Sequence, residues 1–231
     1  MPRWAEMIHT GLQGWIARER DAQRRWVAAP EHTWIGAVEV ELDPADDHCL
    51  WGKRGSGNLV SGGDGRTADL FSRAELGSCE LYLEFMIPLE SRSGVYLLGQ
   101  YEIEIADTAD LAEDELTHES CGAISARWDL EARRPYGGYP PLTNAALPAG
   151  EWQTLELTFR APRFDGAGNK VGNARFDRVV LNDVVVHENV ELTGPTRGAW
   201  RDVEVAYGPL RLQGEHGPVA FRDIRVRTIF D

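Results

Sequence analysis

The chain of 231 residues lacks several features that mark large classes of protein. Its three cysteines, Cys49, Cys79 and Cys121, are odd in number and form no C-x-x-C pair, which disfavours a disulfide framework or a zinc knuckle. No run reaches the ~18 apolar residues of a membrane span. The N-terminal segment also lacks the uninterrupted apolar stretch of a signal peptide. As the sequence stands we expect a cytoplasmic protein; an export signal outside this chain would make it secreted or periplasmic.

Positive charge is also scarce, with 24 basic against 37 acidic side chains and a net charge of -13. Such a chain repels phosphate backbones and anionic lipid surfaces, so we expect neither nucleic acid nor membrane as a partner. Hydrophobic residues make up 42% of the sequence and include eight Trp, six Tyr and seven Phe. That composition is typical of a globular protein with a substantial core.

The N-terminal segment shows a helical spacing of apolar residues. They recur three or four positions apart at Trp4, Met7, Ile8, Leu12, Trp15 and Ile16. This pattern predicts a helix that ends before Pro30. We therefore expect a helical segment at residues 1–30, followed by a β domain at residues 31–231. A helix of this kind packs on the domain or on a second copy, so a homo-oligomer formed through it is one expectation.

From Trp34 onward the apolar residues alternate with polar ones, which is the period of a half-buried strand. Residues 79–87 show the alternation best. Two pairs of such segments flank the short turns Gly99-Gln100 and Asn182-Asp183, which predicts hairpins. In the last segment the apolar positions change phase between Phe221 and Ile224, which suggests a bulge. The fold class we expect is mostly β, an antiparallel two-sheet jelly-roll sandwich with the N-terminal helix attached.

Glu102 and Glu104 are the strongest candidates for chemistry. They lie two residues apart on one predicted strand, so both side chains leave the same face with Cα atoms roughly 6.5–7 Å apart. Tyr101, Ile103 and Ile105 take the other face, which we assign to the core. Carboxyl groups ~5–9 Å apart serve glycoside cleavage, and each raises the pKa of the other. The alternative is an ordinary solvated strand face in an acidic chain.

Other candidates come from the loops. His216 lies in the glycine-flanked turn GEHGP before the last strand, where an imidazole can act near neutral pH. Asp107 ends the strand that carries the two glutamates and either contacts a sugar hydroxyl or caps a turn. Trp128, Tyr136 and Tyr139 lie in a long irregular stretch and either stack on a sugar ring or anchor the loop.

Four stretches of the sequence resemble the 3-keto-disaccharide hydrolase family: residues 93–107 (SGVYLLGQYEIEIAD), 121–125 (CGAIS), 144–196 and 209–227. The resemblance implies a concanavalin A-like jelly roll. It also implies cleavage of glycosides whose sugar carries a ketone at carbon 3. Arg92 stands where the family usually has Asn, next to the Ser-Gly of its signature, so we expect Arg92 near the substrate.

A 3-keto sugar determines what the site must supply. The ketone acidifies the C2 proton, so a base can remove it, the C1 substituent can leave, and water can add afterwards; direct hydrolysis is the other route. Both need an acid and a base, for which we assign Glu102 with His216 and Glu104. Arg222 is expected to hold the ketone oxygen or a hydroxyl. A divalent cation such as calcium is another candidate polariser of the ketone, without an identifiable ligand set. The alternative function is a non-catalytic, lectin-like carbohydrate-binding module.

Overall fold

The computed structural model describes residues 5–6, 12–21, 25–63 and 65–230. Short 3-10 helices occupy Leu12–Gly14 and Glu113–Glu115. In chain order the strands are β1 (Ala5–Glu6), β2 (Trp15–Arg20), β3 (Trp26–Ala28), β4 (Ile35–Asp43), β5 (Asp46–Val60), β6 (Asp69–Leu76), β7 (Cys79–Met86), β8 (Arg92–Leu97), β9 (Tyr101–Ala106), β10 (Arg127–Asp129), β11 (Arg134–Tyr136), β12 (Gln153–Arg160), β13 (Arg163–Phe164), β14 (Lys170–Gly172), β15 (Ala174–Leu181), β16 (Val184–Leu192), β17 (Gly208–Leu212) and β18 (Ala220–Thr228).

These strands form two facing antiparallel sheets. One has the order β16-β15-β12-β7-β18-β5-β4, with β1 paired to β18, and the other has the order β3-β2-β6-β17-β8-β9. Two small hairpins, β10-β11 and β13-β14, stand apart from both sheets. Alternate residues of the two sheets meet in one hydrophobic core; Leu83 on β7 and Ile103 on β9 are both fully buried there. The predicted mostly β, antiparallel two-sheet sandwich is confirmed.

The predicted N-terminal helix is wrong. Strand β2 pairs with β3 and, along its other edge, with β6. Trp15 is buried in the core between the sheets. Backbone hydrogen bonds offered by the edge of β6 outweigh the weak helical preference of a segment that contains Gly11 and Gly14. Predicted helical residues 1–4, 7–11 and 22–24 lie outside the described residues. Without the helix, the expectation of a homo-oligomer formed through it loses its basis.

The predicted turns and bulge are confirmed. Strands β8 and β9 form a hairpin in which Leu97 pairs with Tyr101 across Gly99-Gln100. Asn182 and Asp183 have φ values of 50° and 65°, the positive values that a two-residue hairpin turn between β15 and β16 requires. The register of β18 against β7 shifts between Arg222 and Arg225. Among the described residues, no helix is long and apolar enough to cross a membrane.

Candidate active site

A cavity of about 930 Å³ lies on the outer face of the six-stranded sheet. Strand β9 sends Ile103 into the core, and its neighbours Glu102 and Glu104 therefore point to the cavity. Strand β17 sends Leu210 and Leu212 into the core, so Arg211 between them also points to the cavity. The strand period thus turns two acids and one cation toward a common space.

Chain segments above the sheet turn this face into a cavity. Residues 122–125 run along β9, where the amide of Ser125 donates to the carbonyl of Glu102 at 3.2 Å. The loop after β16 covers the other end, and its Gly198 carbonyl accepts a hydrogen bond from Arg211 at 2.8 Å. These two segments exclude water from the carboxylates that the sheet alone would expose.

The carboxyl group of Glu102 fits because the neighbouring strand carries a glycine. Glu104 pairs with Gly94 across the β8-β9 hairpin, and Glu102 pairs with Tyr96. A Cβ atom placed on Gly94 would lie 2.2 Å from Oε1 of Glu102, so any larger residue would displace the carboxyl. Glu102 is only 4% exposed as a result.

The two carboxyl groups differ in their partners. Burial, and to a lesser extent the nearby Glu104, raise the pKa of Glu102 to about 8 against the opposing effects of Tyr96, Arg211 and Ser125. Burial also raises the pKa of Glu104. Its carboxylate accepts hydrogen bonds from Ser125 Oγ at 2.6 Å and from Arg92 Nη2 at 3.4 Å, which favour the ionised form. Burial thus favours the protonated form of Glu102, while Ser125 and Arg92 favour the ionised form of Glu104.

A buried ion pair lies next to this acid pair. Nε of Arg211 donates to Oδ2 of Asp69 at 2.6 Å, and the exposed fractions of the two side chains are 3% and 0%. Asp69 also accepts the amide of Gly214 at 2.8 Å. The guanidinium carbon of Arg211 lies 4.0 Å from the ring centre of Tyr96. Asp69 thus keeps a fixed positive charge inside the cavity, close to Glu102.

Aromatic and arginine side chains form the mouth of the cavity. The β10-β11 hairpin supplies Trp128 and Tyr136, and Tyr136 is 43% exposed. Arg197 lies over the ring of Trp128 at 4.2 Å, and Arg127 lies over Tyr136 at 5.0 Å. Flat apolar rings beside hydrogen-bond donors suit a sugar, whose faces are apolar and whose edges are polar.

The structure brings together six of the nine residues predicted for the site: Glu102, Glu104, His216, Arg92, Trp128 and Tyr136 line the cavity. The backbone helps to hold this arrangement, since the amide of Arg92 donates to the carbonyl of His216 at 3.3 Å.

The other three predicted residues do not line the cavity. Arg222 belongs to β18 in the opposite sheet, where its Nε bonds Glu84 at 2.6 Å and its guanidinium lies 3.9 Å from the ring centre of Trp152. Asp107 accepts the amide of Glu90 at 2.9 Å and so fixes a turn. The backbone of Tyr139 forms an isolated antiparallel β-bridge with that of Ile124. Sequence position alone did not reveal which sheet would carry Arg222.

Sequence reasoning missed Tyr96 and Arg211 as site residues, although signals for both were present. Tyr96 lies opposite Glu102 in the hairpin that the turn Gly99-Gln100 predicts. Arg211 alternates with two leucines on a strand, which assigns it to the face opposite the core. Arg197, in contrast, lies on an irregular loop and gave no periodic signal.

The predicted divalent cation stays a prediction. Within the described ranges, three potential metal ligands come together at Asp46, Asp47 and His48, all exposed. None of these three lines the cavity. Exposed acidic groups of this kind are common without a bound ion.

Comparison with known families decides the relationship that the sequence suggested. A family model described as a 3-keto-alpha-glucoside-1,2-lyase-like domain matches residues 6–227. The chain belongs to this family. The resemblance noted in the sequence is thereby confirmed, and the chain is placed in a carbohydrate-active, glycosyl hydrolase-like family. No curated protein matches the sequence.

Solved structures support the fold. Two proteins of Parabacteroides distasonis, both provisionally named glycosyl hydrolases, superimpose on the chain. One has 18% sequence identity and a TM-score of 0.64, covering 97% of this chain and 84% of the other. The second has 13% identity and a TM-score of 0.56, covering 96% and 91%. At such identities the likeness concerns the fold alone.

Proposed function

We propose that the cavity binds a 3-keto-glycoside and cleaves its glycosidic bond by elimination across C1 and C2. The observation that carries the proposal is the largely buried pair of Glu102 and Glu104 on the cavity wall, next to the cation of Arg211. A volume of about 930 Å³ suits a small-molecule site, since such sites span roughly 300–1,000 Å³. The 1,2-lyase activity in the family's description supports elimination over direct hydrolysis.

Glu104 is the base in this proposal. Its carboxylate takes the C2 proton, and the electron pair of the C2–H bond moves into an enolate whose charge rests on the C3 oxygen. Hydrogen bonds from Ser125 and Arg92 keep Glu104 ionised beforehand. The guanidinium of Arg211, held by Asp69, is the cation that stabilises the enolate oxygen in place of Arg222.

Glu102 is the acid. When the C3 carbonyl re-forms, a double bond forms between C1 and C2 and the C1–O bond breaks. Glu102 gives its proton to the departing oxygen, for which a pKa of about 8 is well suited at neutral pH. The products are an alcohol and a 1,2-unsaturated 3-keto sugar, to which water can then add.

The test is incubation of the protein with 3-keto-trehalose in D2O, with product and C2 deuterium followed by NMR. We expect cleavage by the wild type. Glu104→Gln should lose C2 exchange, whereas Glu102→Gln should keep exchange and lose cleavage because only the acid is missing. Loss of exchange in His216→Asn, with exchange intact in Glu104→Gln, would assign the base to His216 instead. A parallel reaction with a chelator tests the predicted divalent cation.

A lectin-like carbohydrate-binding module is the second candidate, because the half-buried Trp128 and the exposed Tyr136 at the mouth also suit binding alone. Calorimetry with 3-keto-trehalose separates the two. Binding without turnover or C2 exchange would support the module and contradict the enzyme.

A further inference from the structure

The cavity has a charge balance opposite to that of the chain. Acids outnumber bases by 37 to 24 in the whole sequence. The cavity wall instead contains six arginines, Arg20, Arg92, Arg127, Arg133, Arg197 and Arg211, against five acidic residues. Burial raises the pKa of Glu102 and Glu104, which lowers the negative charge further. The cavity wall therefore lacks the excess of acidic residues that the whole chain has.

Three of these arginines lie at or near the mouth without a carboxylate partner. Arg92 pairs with Glu104 and Arg211 pairs with Asp69. Arg127, Arg133 and Arg197, by contrast, form no ion pair within the part of the chain that the structure describes. An arginine that has no carboxylate partner in the protein is free to pair with an anionic group of a ligand.

Two of the three are held in place by their surroundings. The amide of Arg197 donates to Ala126 at 2.8 Å, which sets its guanidinium over Trp128. Nη1 of Arg127 donates to Thr193 Oγ1 at 2.9 Å, and a Cβ atom on Gly194 would lie 2.4 Å from Nη2 of Arg127. A stacked guanidinium with one hydrogen bond keeps most of its five N–H donors for a carboxylate or phosphate.

We infer that the leaving group of the substrate carries an anionic group, a carboxylate or a phosphate, which Arg197, Arg133 and Arg127 bind at the mouth. This inference rests on the proposed function, because the keto sugar must reach Glu102 and Glu104 on the sheet, which leaves the mouth to the other half of the glycoside. A neutral leaving group needs no such cations. An anionic one is repelled by the rest of the molecule and gains most from them.

The test compares three matched substrates, the 3-keto-α-glucosides of 4-carboxyphenol, 4-phosphonophenol and 4-carbamoylphenol. The carbamoyl compound has nearly the shape of the carboxyl compound without its charge. We expect the wild type to show a KM about tenfold lower for an anionic substrate than for the neutral one, a preference that falls at high salt. Comparing the KM values of the carboxyl and phosphonate substrates shows whether the site prefers a carboxylate or a phosphate-like group.

Variants at the mouth locate the effect. Arg133→Gln combined with Arg197→Gln should remove most of that preference, measured as the ratio of the KM values for the neutral and the anionic substrate. Arg134→Gln is the matched control, because Arg134 is the exposed neighbour of Arg133 and does not line the cavity. It should retain the full preference despite the same loss of charge.

Calorimetry with the unoxidised 4-carboxyphenyl and 4-carbamoylphenyl α-glucosides separates this inference from the proposed function. Anion-dependent binding without turnover of any 3-keto substrate contradicts the proposed function and supports the anion site. Turnover with equal KM values for charged and neutral substrates overturns the anion site and supports the function. Neither binding nor turnover overturns both.

Discussion

The outer faces of the two sheets both carry glutamates, but the surroundings of these acids differ. Strand β7 presents Glu80, Tyr82 and Glu84 on its outer face, and β9 presents Glu102 and Glu104 on its own. On β7 the acids are paired with arginines of β18: Glu80 with Arg227, and Glu84 with Arg222. On β9 they face each other and Tyr96 inside a cavity. Strand alternation determines which face an acid takes, and the segments above that face determine its chemistry.

Ion pairs show the same contrast. The Arg222–Glu84 pair is 39% and 18% exposed, while the Arg211–Asp69 pair is 3% and 0% exposed. Water and salt screen the Arg222–Glu84 pair, so losing one partner costs little. Losing one partner of the Arg211–Asp69 pair leaves the other charge buried and uncompensated. The two faces can therefore be tested against each other with changes of identical chemistry.

The largest expected effect is on stability. Asp69→Asn leaves the buried Arg211 without a counter-charge and should lower the free energy of unfolding by about 3–5 kcal/mol. Glu84→Gln breaks the partly exposed pair and should cost no more than about 1 kcal/mol. Urea unfolding at pH 7 measures both. Equal losses would show that burial does not separate the two faces.

A second, smaller effect depends on pH. The pKa of Glu102 rises from its ordinary 4.5 to about 8 on folding. The stability that the protonated carboxyl contributes is present below pH 4.5 and is lost as the pH rises through 8. Glu102→Gln lacks this loss, so its free energy of unfolding relative to that of the wild type should rise by roughly 3–4 kcal/mol between pH 5 and pH 9. Urea unfolding at both pH values checks this, and a constant difference would contradict a buried, protonated Glu102.

The smallest effect concerns the position of the carboxyl group. Gly94→Ala places a Cβ atom 2.2 Å from Oε1 of Glu102, so the carboxyl must move. We expect kcat on 3-keto-trehalose to fall about tenfold, since small displacements of a catalytic group are costly. Gly166→Ala is the control, because its Cβ meets nothing within 4 Å. Similar kcat values for the two variants would show that Gly94 does not position the acid.

Local patterns in the sequence correctly predicted the features that depend on residues close together in the chain. The alternation around Ile103, the turn at Asn182-Asp183 and the bulge near Phe221 all follow from backbone geometry. The prediction of an N-terminal helix was wrong because the edge of β6 pairs with residues 15–18, a long-range contact that helical spacing does not reveal. The position of Arg222 outside the cavity was hidden for a similar reason, since assignment to a sheet depends on which strands pair.

The most direct test of the account compares one carboxyl from each face. The kcat/KM for 3-keto-trehalose is measured for the wild type, Glu102→Gln and Glu84→Gln at pH 7. The account predicts a loss of at least about 100-fold for Glu102→Gln and a change within about twofold for Glu84→Gln. Equal activity of the two variants would contradict the assignment of the chemistry to the buried acid pair on β9.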